Sequence, residues 1–319
     1  MTMSDSFPDN KIQIRVPIPK DSDGFTGREC PNKDCLGYFK VQFGTGLKGE
    51  DLPCHCPYCG HVGPHNTFFT PEQIEYGQSV AVNQLTGQIL KEFKKLEFTS
   101  RPMGGFGLSV SMKISGQSHP IRYYREKQLE TEIVCEKCTL RYAVYGVFAF
   151  CPDCGQHNSR QIFDKSMELV LKMLDMSATA EQGISIHLVE NALEDCVSAF
   201  DGFGREIGRV YADKSSNPVK ARKLSFQNLD GAKQNIQELF GLDISSHLSN
   251  DEWIDARKDF QKRHLLSHKM GIIDEDYVKK TADKDAVIGR KIAVTSDEVC
   301  NLVMILSKLA TSMAAAFVK

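Results

Sequence analysis

A chain of 319 residues, 41% hydrophobic and 25% charged, has apolar material for two or three packed domains. Its formal net charge is -2, with 18 basic and 17 acidic residues up to position 160 and 21 and 24 beyond it. That balance excludes a strongly basic nucleic-acid platform in either half, so any such binding has to rest on local patches.

Nine of the eleven cysteines fall before residue 155. The opening stretch, Met1 to Asn10, has neither the basic cluster nor the apolar run of a secretory signal, and the expected location is cytoplasmic. In that setting Cys-x-x-Cys pairs point to zinc rather than disulfides. Residues 1–25, with Pro8, Pro17 and Pro19, read as a loose arm.

The first cysteine group is Cys30-x4-Cys35 followed by Cys54-His55-Cys56-Pro57-Tyr58-Cys59-Gly60. Two close thiolate pairs on tight turns supply the tetrahedral sulfur cage that zinc prefers, which makes Cys30, Cys35, Cys56 and Cys59 the ligands. Cys54 is a spare thiol, and His55, His61 and His65 are alternative donors. Thr70-Pro71-Glu72-Gln73 then has the form of a capping box with proline at the first helical position. Ile74, Leu85, Ile89, Phe93 and Leu96 recur at helical spacing, so a helix is predicted to about Leu96.

Gly104-Gly105-Phe106-Gly107 reads as a plain loop, because no helix start follows it. Leu108, Val110, Met112 and Ile114 alternate with polar residues as in a half-buried strand, and a second strand is expected at Ile121 to Arg125. There Arg122-Tyr123-Tyr124-Arg125 interleaves cations with aromatics, a nucleic-acid pattern that a solvated strand face also produces. The second cysteine group is cleaner. Cys135-x2-Cys138 and Cys151-x2-Cys154 are twelve residues apart and bracket strand-forming sequence from Arg141 to Phe150. These pairs resemble a zinc ribbon, giving a second zinc site, and such modules bind nucleic acid or protein or staple a small fold.

From Ser159 onward the pattern is helical, with helices expected at Ile162–Leu174, roughly Ser177–Tyr211, Asn228–Phe240 and Asn250–Met270. Gly202 to Gly208 has the wrong spacing for a dinucleotide loop and no strand before it. The connection from Asp213 to Gln227 carries Lys214, Lys220, Arg222 and Lys223 and is the place to look for phosphate contacts. A short strand is expected at Val287–Val294. The run Val299 to Val318 reads as an amphipathic final helix capped from Thr295, not a membrane span.

The densest chemistry lies in Arg263-His264-Leu265-Leu266-Ser267-His268, in the last turns of the helix capped at Ser249 and ended near Gly271. At 100° per residue Arg263, His264 and His268 share one face, while Leu265 and Leu266 point to the core. Two imidazoles beside a guanidinium suit cleavage of a phosphodiester by its own 2′-hydroxyl. A metal pair at His264 and His268 is a weaker alternative, since no third ligand is near in sequence.

Arg263-x4-His268, near the end of a helix in a helical C-terminal half, resembles the Arg-x4–6-His motif of the HEPN superfamily. That resemblance covers roughly residues 160–319 and implies a metal-independent ribonuclease whose active site forms between two copies, as in a toxin or defence effector. It assigns Arg263 and His268 to catalysis, with His264 at the polar position after the arginine.

The expected fold is multidomain α+β: an N-terminal zinc-ribbon, β-rich region followed by an all-α HEPN-like bundle. The expected domains are 1–70, 71–158 and 159–319. Expected partners are two zinc ions, RNA, a second copy bound through the helical domain and a possible protein partner, with no membrane. The competing expectation is a non-catalytic dimer whose ribbons bind nucleic acid or protein.

Overall fold

The computed structural model describes residues 14–49, 52–100 and 110–317. The chain folds as two compact units, residues 1–156 and 157–319, of α+β character: a β-rich, cysteine-bearing half and a helical half.

The first unit is built on a four-stranded antiparallel sheet in the order β1 (Thr26–Glu29), β2 (Tyr38–Gln42), β8 (Arg141–Val144), β7 (Thr131–Val134). β1 and β2 flank Cys30 and Cys35, and β7 and β8 flank Cys135 and Cys138. The two hairpins meet at β2 and β8, where Lys40 faces Ala143 and Val41 faces Tyr142. Their registers repeat: Thr26 faces Val41 in one and Thr131 faces Val144 in the other. The later cysteine pairs repeat as well. His55 N–H donates to Pro152 O at 2.7 Å and Phe150 N–H to Pro57 O at 2.8 Å, the same two positions around Cys56 and Cys151. Two ribbon-like halves are thus related by a local two-fold. A boundary at residue 70 runs through this unit instead of dividing it, because strands from either side share one sheet and one core of Phe39, Val41, Ile133, Tyr142 and Val144.

Two smaller antiparallel pairs, β3 (Pro53–His55) with β4 (Val62–Pro64) and β5 (Phe98–Ser100) with β6 (Val110–Met112), complete the strands. Helix α1 (Pro71–Lys94) starts on the capping box at Thr70 and Gln73. The loop Gly104–Gly107 lies outside the described residues, and the strand expected from Leu108 is described only as β6. The strand expected at Ile121–Arg125 does not form. That segment runs beside α1, and its backbone pairs with helix side chains, not a neighbouring strand. Asn83 Nδ2 donates to His119 O, His119 N–H donates to Thr86 Oγ1, and Arg122 N–H donates to Ser79 Oγ. Residues 79, 83 and 86 lie on one helical face, so α1 takes the place of a sheet edge. Arg122 is spent on an ion pair with Glu75, leaving Tyr123 as the exposed ring of the Arg122–Arg125 group.

The second unit is helical: α2 (Ser159–Ser177), α3 (Gln182–Val210), the single turn α4 (Pro218–Ala221), α5 (Leu229–Phe240), α6 (Asn250–Lys269), α7 (Glu275–Thr281) and α8 (Ser296–Phe317). α2 and α3 form a helical hairpin, and α8 packs against both. α8 is long and apolar enough to cross a membrane, yet Val299, Leu302, Leu306, Leu309 and Met313 are buried in the core of this unit. The strand expected at Val287–Val294 is reduced to one bridge, Ile272 with Lys291, because no further strand lies beside it. The segment instead clips the end of α6: Ile273 N–H reaches Arg290 O, Gly289 N–H reaches Ile273 O, and Ile292 N–H reaches Gly271 O.

Candidate metal centres and a cationic cleft

Four turns of one design carry the eight cysteines. The residue after the second cysteine of each pair is left-handed: Leu36, Gly60, Thr139 and Gly155, with φ of 47°, 70°, 64° and 66°. Glycine takes that conformation without a Cβ penalty, so Leu36 and Thr139 are the strained pair. The first cysteine of each pair donates its backbone N–H to the carbonyl one residue past that point, Cys30 to Gly37, Cys56 to His61, Cys135 to Leu140 and Cys151 to Gln156. Cys30-x4-Cys35 is therefore the same turn with two residues inserted.

These turns gather Cys30, Cys35, Cys56 and Cys59 in one group and Cys135, Cys138, Cys151 and Cys154 in another, with all sulfurs of a group within 4.8 Å of each other. Sulfur–sulfur separations are 3.7 Å for Cys30–Cys59 and Cys35–Cys56, 3.6 Å for Cys135–Cys154 and 3.4 Å for Cys138–Cys151. A regular tetrahedron with Zn–S bonds of about 2.3 Å has edges of about 3.8 Å, so both groups fit zinc. Backbone N–H groups also point at the sulfurs, from Tyr58 and Cys59 to Cys56 and from Lys137 and Cys138 to Cys135. Burial first, and then the neighbouring sulfurs of each group, push the Cys30 thiol up to about 12 and the Cys138 thiol up to about 11, so holding these two as thiolates calls for a cation. Each group offers four protein donors and no open position, the mark of a structural site. Cys54, buried in β3, belongs to neither group, and no histidine replaces a thiolate.

The second unit brings the arginine–histidine motif into a cleft of about 610 Å³. Helix α6 begins at a capping box in which Ser249 Oγ accepts Glu252 N–H at 3.1 Å and Glu252 accepts Ser249 N–H at 2.8 Å. It ends with Met270 and Gly271 both left-handed, and Gly271 N–H closes on Leu265 O at 2.9 Å. Leu265 is buried and packs with Ile273, Tyr277 and Ile292, which fixes the rotation of the helix. Arg263 is left half-buried, with His264 and His268 exposed on the cleft side.

The facing wall comes from the basic connection and α5. Asp201 of α3, itself buried, accepts Phe226 N–H at 2.5 Å and Ser225 Oγ–H at 3.2 Å, which pins the connection to the helix. Gly204 makes that contact possible, since a Cβ there would lie 2.3 Å from the Phe226 ring. Lys220 and Lys223 thereby line the cleft with Arg263, His264 and His268, and α7, anchored by Tyr277, adds Lys280. Among the described lining residues none is acidic. Lys220 is paired with Glu238 at 2.7 Å, whereas Lys223 and Lys280 have no ion-pair partner among the described residues. Arg263 Nε is buried and makes no hydrogen bond among the described residues.

No family model, curated protein or solved structure matches this chain.

The rings of His264 and His268 stand 4.9 Å apart, tilted by 56°. Partial burial lowers the His264 pKa below the usual imidazole value, and the charges of His268, Lys269, Lys280 and Arg263 lower it further. His264 and His268 fall in neither metal-competent group among the described residues. Arg263, His264 and His268 lie about 40 residues from the lysine-rich connection in sequence; the fold unites them in one cleft. Lys280 carried no signal, being one of two adjacent lysines on a short helix.

Proposed function

We propose that the helical unit is a HEPN-type, metal-independent endoribonuclease whose cleft binds an RNA phosphodiester and cleaves it through the adjacent 2′-hydroxyl. The observation that carries this reading is Arg263 in a cleft lined by lysines and histidines and, among its described residues, by no acid. Cationic side chains without an acid among them favour an anionic oxygen. Hard divalent cations need oxygen ligands, which a cleft without carboxylates supplies poorly. His264, biased toward its neutral form, is the base that takes the 2′-hydroxyl proton; His268 supplies a proton to the leaving oxygen, and Arg263 balances the charge on phosphorus.

In-line displacement places entering and leaving oxygens on opposite sides of phosphorus. Two rings 4.9 Å apart on one helix face serve one side well. The composite site therefore pairs the motifs of two copies, with the zinc unit holding or selecting RNA. The test is cleavage of a structured RNA in EDTA by the wild type and by Arg263→Ala and His268→Ala. Loss of cleavage in both variants, with zinc content and melting temperature unchanged, supports the reading. Identical product patterns from all three proteins reject it.

A further inference from the structure

The cleft has a second wall that a purely phosphate-binding site does not need. Asn228, Gly231 and Asn235 line it from one face of α5, at positions i, i+3 and i+7, and Gln261 lines it from α6 beside Arg263. Asn235 and Gln261 are half-buried, and their amides make no hydrogen bond among the described residues. Asn228 spends only its carbonyl oxygen, capping α5 by accepting Gly231 N–H at 3.2 Å, so its NH₂ group stays available. Gly231, with no side chain, leaves a flat stretch between the two asparagines. Amides present a donor and an acceptor side by side, the pattern that matches a base edge and that a phosphate, which only accepts, cannot use fully.

The geometry points to Asn235 and Gln261 as specificity-determining residues that read the base of a single, unstacked nucleotide whose phosphate lies at Arg263. This rests on the ribonuclease reading above and names its substrate class: single-stranded or looped RNA with a base preference at the cleavage position. A volume of about 610 Å³ is within the range of small-molecule sites, roughly 300–1,000 Å³. An A-form duplex keeps its major-groove base edges in a deep, narrow groove and shows the rest only on a wide, shallow surface, so amides inside a concave cleft suit a splayed base.

The test is equilibrium binding of fluorescently labelled octamers of A, C, G and U to the full-length chain, in a His268→Ala background that prevents turnover. Wild-type walls are expected to favour one base by about tenfold or more, and Asn235→Ala and Gln261→Ala to bring the four octamers to within about twofold. Both variants keep the salt dependence, whereas Lys223→Ala weakens all four equally and lowers the salt slope by about 1. Equal binding of the four octamers, or preference surviving both substitutions, overturns the inference while leaving the phosphate site standing. Failure to bind any octamer overturns the ribonuclease reading itself, and this inference with it.

Discussion

The carboxylate of Asp201, on α3, accepts the backbone N–H of Phe226 at 2.5 Å, and through that bond a core helix holds the wall of the cationic cleft. Asp201→Ala leaves a buried N–H unpaired and frees Ser225, at a cost of about 1–3 kcal/mol. The expected result in urea denaturation is a lower midpoint. Lys223 then loses its fixed position, so oligonucleotide affinity falls although no cation has been removed. Unchanged affinity with the midpoint lowered would show that Asp201 supports the fold but not the cleft.

Gly204 tests the same wall from beneath. A Cβ at this position meets the fully buried Phe226 ring at 2.3 Å, and that ring has no room to withdraw. Gly204→Ala is expected to destabilise by about 1–3 kcal/mol through overpacking, outweighing the roughly 1 kcal/mol that alanine gains in a helix. Gly202, two residues earlier on α3, has nothing within 4 Å of its added Cβ. Gly202→Ala should therefore stabilise by up to about 1 kcal/mol, and opposite signs for the two variants in thermal melts are the result to seek.

How much of this was readable in advance depends on the range of the determining contacts. Cysteine spacing named both metal groups, and the capping pairs Thr70–Gln73 and Ser249–Glu252 named two helix starts, because each signal lies within a few residues. The fused sheet was hidden. Two extra residues between Cys30 and Cys35, and a longer stretch before Cys56 than before Cys151, mask the repeat that brings Lys40 opposite Ala143. The cleft was hidden for the same reason, since Lys223, Asn235, Arg263 and Lys280 meet only once α3, α5, α6 and α7 have packed. Gly204 and Gly208 did leave a trace, small residues one helical turn apart, which marks a close approach of chain to helix rather than a nucleotide loop.

Because one sheet joins the two metal groups, they should fail together. Metal analysis is expected to give about two zinc per chain. Cys138→Ser should release more than one equivalent to a chromogenic chelator, as disorder in β7 and β8 spreads to β2 through the Lys40–Ala143 register. Cys54→Ser, by contrast, should keep both ions, since that thiol is buried outside either cage. Release of only one equivalent from Cys138→Ser would mean that the two halves are energetically independent.

His264 should titrate below the usual imidazole midpoint of about 6.5, first because it is partly buried and then because His268, Lys269, Lys280 and Arg263 surround it with positive charge. The sign follows directly. The native chain disfavours the protonated ring, so the contribution to stability is present above the unfolded value and is lost as pH falls through the lowered one. An NMR titration of the ring protons should place the midpoint below that of a free histidine, and Lys280→Ala should raise it. An unshifted midpoint would remove the argument for His264 as a neutral base.

The strongest pH dependence should come from Asp259, four residues before Arg263 on α6. It is almost fully buried, and burial raises its carboxyl to about 7; Glu298 and Asp255 add to the rise, while Lys262 and Lys258 oppose it. Lys262 is also buried, but its ammonium group is directed to Glu298 at 2.6 Å and Ala293 O at 2.9 Å. An aspartate in the unfolded chain titrates near 3.9, so between about 4 and 7 the native state holds a proton that the unfolded state has released. Stability therefore declines as pH rises through that window, by up to about 4 kcal/mol for a shift of about three units. Asp259→Asn cannot ionise and should lose this slope. Urea midpoints at pH 5 and pH 8 give the comparison: the variant should gain on the wild type at pH 8 relative to pH 5. An equal difference at both pH values would mean that Asp259 is already charged in the native core.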